Sequence, residues 1–146
     1  MKFKLIIDKK SEEEIVARVH SESELTRDIE NLILTYAGSD KLLVMSEDEM
    51  MYIAFSSIEC ITVIDRKVYA IDGKNRKYRV KSKLFEVEEI LPSYFVRINK
   101  SSLGNVRKIK RFKTAFNGSV DVEFVCGHVD YVSRRCLGEV KRRFLE

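Results

Sequence analysis

From residue 42 to residue 132 the chain is cut into apolar-rich runs of four to eight residues, and nearly every run is followed by turn chemistry. The runs cover residues 42–45, 50–55, 58–64, 67–72, 77–80, 94–98, 106–113, 119–126 and 128–132. Runs of that length bounded by Gly, Asn, Asp and Ser read as strands. The breaks are Ser46-Glu47-Asp48-Glu49, Asp65-Arg66, Gly73-Lys74-Asn75, Asn117-Gly118 and Cys126-Gly127, all residue types that tolerate tight turns. In 119–126 the pattern is plainest: Val120, Val122, Phe124 and Cys126 alternate with Ser119, Asp121 and Glu123, which buries one face of a strand and wets the other. A chain punctuated in this way folds as a mainly β protein with a few peripheral helices.

Three segments depart from the strand period. Ser82 is placed to cap a helix over residues 83–91 that Pro92 stops, because proline cannot continue a helix and restricts the residue before it. Ser133 caps a basic final helix with Leu137, Val140 and Phe144 on one face. Near the N-terminus, Leu25, Ile29, Leu32, Ile33 and Tyr36 fall at helical spacing behind a Ser21-Glu22-Ser23-Glu24 capping box, and Gly38 is placed to end that helix. Ahead of it, residues 2–8 and 14–20 read as strands. The apolar stripe is read as a core face, with a docking face for a dimer or an inhibitory partner as the alternative.

A chain of 146 residues with 45% apolar content and a single proline suits one folded domain. No apolar run approaches the ~18 residues of a membrane helix, and the N-terminal run is too short for a signal peptide. Three cysteines, Cys60, Cys126 and Cys136, are an odd set in a chain large enough to need no disulfides, which predicts reduced thiols and a cytoplasmic location. Asn117-Gly118-Ser119 fits a glycosylation sequon but reads better as a hairpin turn.

Charge is distributed unevenly. Residues 1–60 hold 7 Lys/Arg and 13 Asp/Glu, a net of 7 − 13 = −6, and residues 61–146 hold 20 and 10, a net of 20 − 10 = +10. A basic half is the footprint expected for a phosphate backbone. Catalysis finds no support: His20 and His128 lie in no nucleophile motif, the acidic groups read as solvated turns and helix faces, and no phosphate loop is present. Cys126, His128 and Cys136 could be metal ligands by type, but they lack a Cys-x-x-Cys pair and a fourth ligand. No catalytic residue, metal or cofactor is therefore assigned. Arg66, Asn99, Lys100, Asn105, Arg134 and Arg135 lie at predicted turns or strand ends, from which side chains can reach a groove and read base edges. The same charge would also serve a protein-interaction module that binds an acidic protein or an anionic membrane surface.

The stretch Tyr94-Phe95-Val96-Arg97-Ile98-Asn99-Lys100-Ser101-Ser102-Leu103-Gly104-Asn105-Val106-Arg107-Lys108-Ile109 resembles the signature of the LytTR DNA-binding family: a Phe, an Arg, a His-Arg-Ser or similar triplet, a hydrophobic pair, an Asn, and an Ile four residues on. Ile58-Glu59-Cys60-Ile61 looks like that family's opening hairpin, and Tyr131-Val132-Ser133-Arg134-Arg135 like its closing motif. The resemblance implies an elongated arrangement of small antiparallel sheets over residues 41–146, preceded by a strand–helix extension over residues 1–40. It implies a bacterial transcription regulator, without a receiver domain, that docks loops into double-stranded promoter DNA. The reading loops would be Asp65-Arg66-Lys67, Asn99-Lys100-Ser101 directly after Arg97, and Ser133-Arg134-Arg135, with Lys108, Lys110 and Arg111 on phosphates. Further partners implied are a second copy on repeated sites and an inhibitory membrane protein. Two positions depart from the pattern: Asn99 stands where the family usually has His, and Gly104 where it has a hydrophobic residue before the Asn.

Overall fold

A computed structural model describes residues 1–11, 14–38 and 40–146, with the side chains of residues 31 and 33–38 outside the description. It contains two compact units, Met1–Thr35 and Tyr36–Glu146. In the first unit the expected strands at 2–8 and 14–20 do not form. Their apolar side chains, among them Phe3, Ile6, Ile7, Ile15 and Val16, are exposed. Alternation without a partner strand cannot hold an extended segment. Helix α1 (Glu24–Gly38) does form, but its cap lies two residues later than expected. Ser23 N donates to Thr26 Oγ1 at 2.9 Å and Thr26 N to Ser23 Oγ at 3.4 Å, so threonine takes the place of the usual glutamate in a reciprocal box. Leu25 and Leu32 are exposed and Ile29 is half-buried. These described members of the stripe do not form a core face; Ile33 and Tyr36 lie outside the described side chains. Among the described residues no helix is long and apolar enough to cross a membrane.

The described residues of the second unit form ten strands: β1 (Lys41–Ser46), β2 (Glu49–Ala54), β3 (Ile58–Ile64), β4 (Lys67–Asp72), β5 (Lys77–Val80), β6 (Phe95–Asn99), β7 (Ser102–Asn105), β8 (Ile109–Thr114), β9 (Val120–Phe124) and β10 (Val129–Val132). Helix α2 (Leu84–Ile90) follows β5, and α3 (Arg134–Leu145) follows β10. A seven-stranded sheet has the order β2-β1-β5-β4-β3-β7-β6, and a three-stranded sheet the order β10-β9-β8. Every pairing is antiparallel. The β1–β2 hairpin joins the larger sheet through one registered pair, Met45 with Arg79.

Local chemistry explains most of these bounds. Asp65 and Arg66 both have positive φ, 50° and 68°, the signature of a two-residue hairpin turn whose twist suits the flanking strands. Gly118 and Gly127 take the left-handed position, φ 83° and 95°, in the short loops, residues 115–119 and 125–128, that join β8 to β9 and β9 to β10. The helix after β5 is capped by Lys83, not Ser82: Lys83 N donates to Glu86 Oε1 at 3.0 Å. The run 106–113 is not one strand. Asn105 Oδ1 accepts from Arg107 N at 3.0 Å and closes a single 3-10 turn over Val106–Lys108 before β8 begins.

The larger sheet carries a core cluster on each face, while the outer face of the β1–β2 hairpin stays exposed. One face, with α2, holds Leu42, Phe55, Ile58, Ile61, Val68, Ala70, Leu84, Val87, Phe95 and Leu103. The other, with the smaller sheet and α3, holds Cys60, Ile71, Ile98, Ile109, Val122, Phe124, Val132 and Val140. Gly104 sits between the two sheets. A Cβ built there would lie 2.9 Å from Phe124 Cζ and 3.2 Å from Ile98 Cγ2, so the glycine makes room for the Phe124 ring. Gly104→Val is expected to destabilise the domain by about 1–3 kcal/mol through overpacking, and Phe124→Leu in the same chain to recover part of the loss in urea unfolding.

Asp72 closes the β4–β5 turn. Its carboxylate accepts from Lys74 N (3.0 Å), Arg76 N (2.9 Å), Arg76 Nε (2.8 Å) and Tyr78 O–H (3.2 Å). Burial pushes its pKa up, but these donors and the Arg76 charge outweigh burial and hold it below the usual value. A depressed folded-state pKa gives stability that is complete above the unfolded value, about 3.9, and is lost as pH falls through the folded one. Asp72→Asn should therefore lower the Tm at neutral pH, and the difference from the parent should shrink as thermal melts are taken progressively below about pH 4.

Candidate nucleic-acid interface

Three segments far apart in sequence meet along one edge of the second unit. The hairpin tip at 65–66 ends β3, and next to it Val63 N donates to Ser101 O at 2.9 Å. That bond ties the β3–β4 turn to the β6–β7 turn. From the β6–β7 turn, Asn99 Nδ2 reaches Tyr131 O at 2.8 Å, and Ser133 N donates to Ile98 O at 2.9 Å. These bonds fix the end of β10 and the start of α3 beside the same turn. Ser133 caps α3, its Oγ accepting from Cys136 N at 3.3 Å. The predicted loops at 65–67, 99–101 and 133–135 are thus neighbours held by backbone and amide hydrogen bonds.

At the centre of this arrangement is a polar knot. Asp130 Oδ1 accepts from Asn99 Nδ2 (3.1 Å) and Tyr131 N (2.8 Å), and Asp130 Oδ2 from Ser102 O–H (2.6 Å). Thr62 Oγ1 lies 2.7 Å from Ser102 Oγ. Asn99 Oδ1 accepts from Ser101 N at 2.8 Å. Burial pushes the Asp130 carboxyl up, but the neighbouring His128, the Ser102 hydroxyl and the Tyr131 N–H offset this and hold it low. Cys60 lies beneath, fully buried, and burial together with nearby Asp130 pushes its thiol well above the usual value.

This geometry gives several of the predicted residues partners within the fold. Asn99 is 0% exposed, and its amide donates to Asp130 and Tyr131 and accepts from Ser101 N, so in this structure it holds the loop. Asn105 is likewise buried, with Nδ2 donating to Ile58 O at 2.9 Å. Arg97 is half-buried; its Nε pairs with Glu88 Oε2 at 2.8 Å and its guanidinium donates to Lys100 O at 2.9 Å. It braces the β6–β7 turn from below. Arg111 is exposed but shares Glu123 with Lys113. The Ser101 backbone serves the turn, and Lys108 is half-buried.

What remains is a set of exposed cations. Among the described residues, Arg66, Lys67, Lys100, Lys110, Arg134 and Arg135 are exposed and have no acidic partner within ion-pair distance. All but Lys110 stand on the three converging loops. Sequence reasoning missed Asp130, Ser102 and Thr62, which organise those loops; no spacing rule links residues 62, 102 and 130.

The sequence model of the family described as "LytTr DNA-binding domain" matches residues 48–145. An "uncharacterized HTH-type transcriptional regulator" of Staphylococcus aureus strain MSSA476 is 30% identical over 145 residues, covering 98% of this chain and 97% of its own length. A relative with the same description from the bovine strain RF122 is 33% identical over 105 residues, 72% of this chain and 71% of its own. The fold is also that of a LytTr DNA-binding domain from a methyl-accepting/DNA response regulator of Bacillus cereus, with a TM-score of 0.64, 21% identity, and coverage of 71% of this chain and 95% of that one. With a fold of paired antiparallel sheets, three converging cationic loops and a family match across two thirds of its length, the chain belongs to the LytTR family of DNA-binding domains.

Proposed function

We propose that the protein is a sequence-specific transcription regulator that inserts the loops at 65–67, 99–101 and 133–135 into grooves of double-stranded DNA. The observation that carries this reading is the convergence of Arg66, Lys67, Lys100, Arg134 and Arg135, exposed and without acidic partners among the described residues, on one braced edge. Arginines on a fixed frame can make bidentate contacts to guanine. Lys110 and Lys108, on and beside β8, supply phosphate contacts that position without specifying. In this reading residues 41–146 carry the DNA binding, residues 1–40 are an appended element, and the protein acts in the cytoplasm.

Base reading and phosphate contact separate experimentally. Arg135→Ala should cost about 1–3 kcal/mol on the preferred duplex and relax the preference at one position, measured by selection from a random DNA pool. Lys110→Ala should weaken all duplexes alike and reduce the salt slope by about one. Equal affinity of the parent protein for promoter-derived and scrambled duplexes would sink the sequence-specific reading.

Asn99→Ala should behave differently from both. It removes the amide donor shared by Asp130 Oδ1 and the Tyr131 carbonyl, although Asp130 keeps the Tyr131 N–H and the Ser102 hydroxyl, and the loss of these buried bonds costs about 1–3 kcal/mol. Its Tm and its DNA affinity should fall together, whereas Arg135→Ala should leave the Tm in place. A parent-like Tm for Asn99→Ala would show that the amide does not hold the loops.

A further inference from the structure

We propose that Cys60, His128 and Asp130 form a binding site for a divalent metal ion of the zinc class. One ligand atom from each, a sulfur, an imidazole nitrogen and a carboxylate oxygen, lies within 4.8 Å of the others. The site lies between the sheets: Cys60 is on β3 of the larger one, and Asp130 is on β10 of the smaller one with His128 just before it.

A second observation points to a ligand. His128 Nε2 is buried and has no hydrogen-bond partner among the described residues, although buried polar atoms in folded proteins are almost always paired. It faces Asp130 Oδ2 at 3.9 Å, too far for a hydrogen bond. An ion bonded to both at about 2.0–2.2 Å spans such a gap. Among the described residues the Asp130 oxygen on this side accepts from Ser102 alone, which leaves it a lone pair. Its other oxygen is held by Asn99 and the Tyr131 N–H, the kind of outer support that orients metal-binding carboxylates.

The donor set selects the metal. Thiolate, imidazole and carboxylate suit zinc, whereas calcium and magnesium require oxygen cages. A thiolate and a carboxylate neutralise the two charges of the ion, and the Cys60 proton leaves to solvent on binding. The side chains of His128 and Asp130 keep 18% and 15% of their surface exposed, so the ion can enter from the rim and take water as a fourth ligand. This set shares only His128 with the Cys126, His128 and Cys136 grouping that sequence spacing brings to notice. The inference stands independently of DNA binding.

Cobalt(II) added to the full chain serves as the probe. It should bind one to one, give a thiolate-to-metal charge-transfer band, and be displaced by zinc but not by magnesium. Cys60→Ala should abolish the band. His128→Gln, a change at the rim, should lower zinc affinity at least about tenfold against a chromophoric chelator, and Cys136→Ala should change neither. Absence of the band in the parent protein, or its survival in Cys60→Ala, overturns the site. If Cys60→Ala does not fold, His128→Gln decides, and zinc affinity equal to the parent's overturns the site.

Discussion

The buried hydrogen bonds around Asp130 are the constraint on which the candidate interface depends. Short hairpin turns have few contacts of their own and open at low free-energy cost. Here the β6–β7 turn and the end of β10 are bonded to one another through Asn99, Ser102 and Asp130, and Ser133 N ties the start of α3 to Ile98 O. Removing any member leaves a buried donor or acceptor unpaired, which makes a network of this kind specify one arrangement. Strand irregularities aim the members correctly. The register of β6 on β7 shifts between Arg97 and Asn99. Across that shift Ile98 enters the second core and Asn99 is buried, while Arg97 turns toward Glu88. Bulges commonly re-aim side chains beside functional sites.

The same frame sorts the charges. A net charge of +10 over residues 61–146 treats every base alike, yet the structure gives many of them internal work. Arg76 serves the Asp72 turn and Arg97 braces α2 against the β6–β7 turn. Arg107 lies over the Tyr94 ring at 4.3 Å, and Arg142 pairs with Glu139 and Glu146 along α3. A base already paired offers an incoming phosphate less than a free one, because the existing contact must be given up. The loop cations are therefore distinguished by combining exposure and the lack of an ion pair with their convergence on braced turns, since Lys74, Lys77, Lys81 and Lys141 are also exposed and unpaired among the described residues but stand elsewhere. The Asp65-Arg66 tip adds a geometric element: a non-glycine residue at φ 68° is held in a conformation that costs about 1–2 kcal/mol, and this strain presents the Arg66 side chain at the extremity of the hairpin.

Turn chemistry is local, and the strands it bounds were legible in the sequence. The runs 58–64, 67–72 and 77–80 coincide with β3, β4 and β5 because Asp65-Arg66 and Gly73-Lys74-Asn75 define the hairpins without outside help. β7 was not legible. Ser102-Leu103-Gly104-Asn105 has little strand propensity and is extended because β3 and β6 pair with it and Asn105 bonds to Ile58 O. The N-terminal segments show the converse: apolar content at 2–8 and alternation at 14–20 predict strands, but neither segment has a partner strand among the described residues. In the candidate site, exposed cations at turns were visible from residue type. The burial of Asn99 was not, since its partners are 31 and 32 positions away, and an asparagine in a turn reads the same whether it faces solvent or a carboxylate.

Gly104 shows how a departure from a family pattern becomes intelligible only as part of a set. Taken alone, a glycine in place of a hydrophobic residue is a lost core side chain. In the fold, Gly104 lies opposite Cys60 across the β3–β7 pairing, and the space that these two small residues leave between the sheets is filled by Phe124. The same ring stacks on His128, with centroids 6.0 Å apart and an interplanar angle of 25°. Volume missing from the larger sheet is thus returned by the smaller one, consistent with cores that conserve total volume while redistributing it. The exchange has a chemical consequence as well as a steric one. It leaves a thiol, rather than a branched aliphatic side chain, beneath an imidazole whose ring is positioned by Phe124 and whose Nε2 faces Asp130. The residue that departs from the pattern, the ring that compensates for it and the polar cluster between the sheets are therefore one packing solution, and substitution at any of the three positions will be felt at the other two.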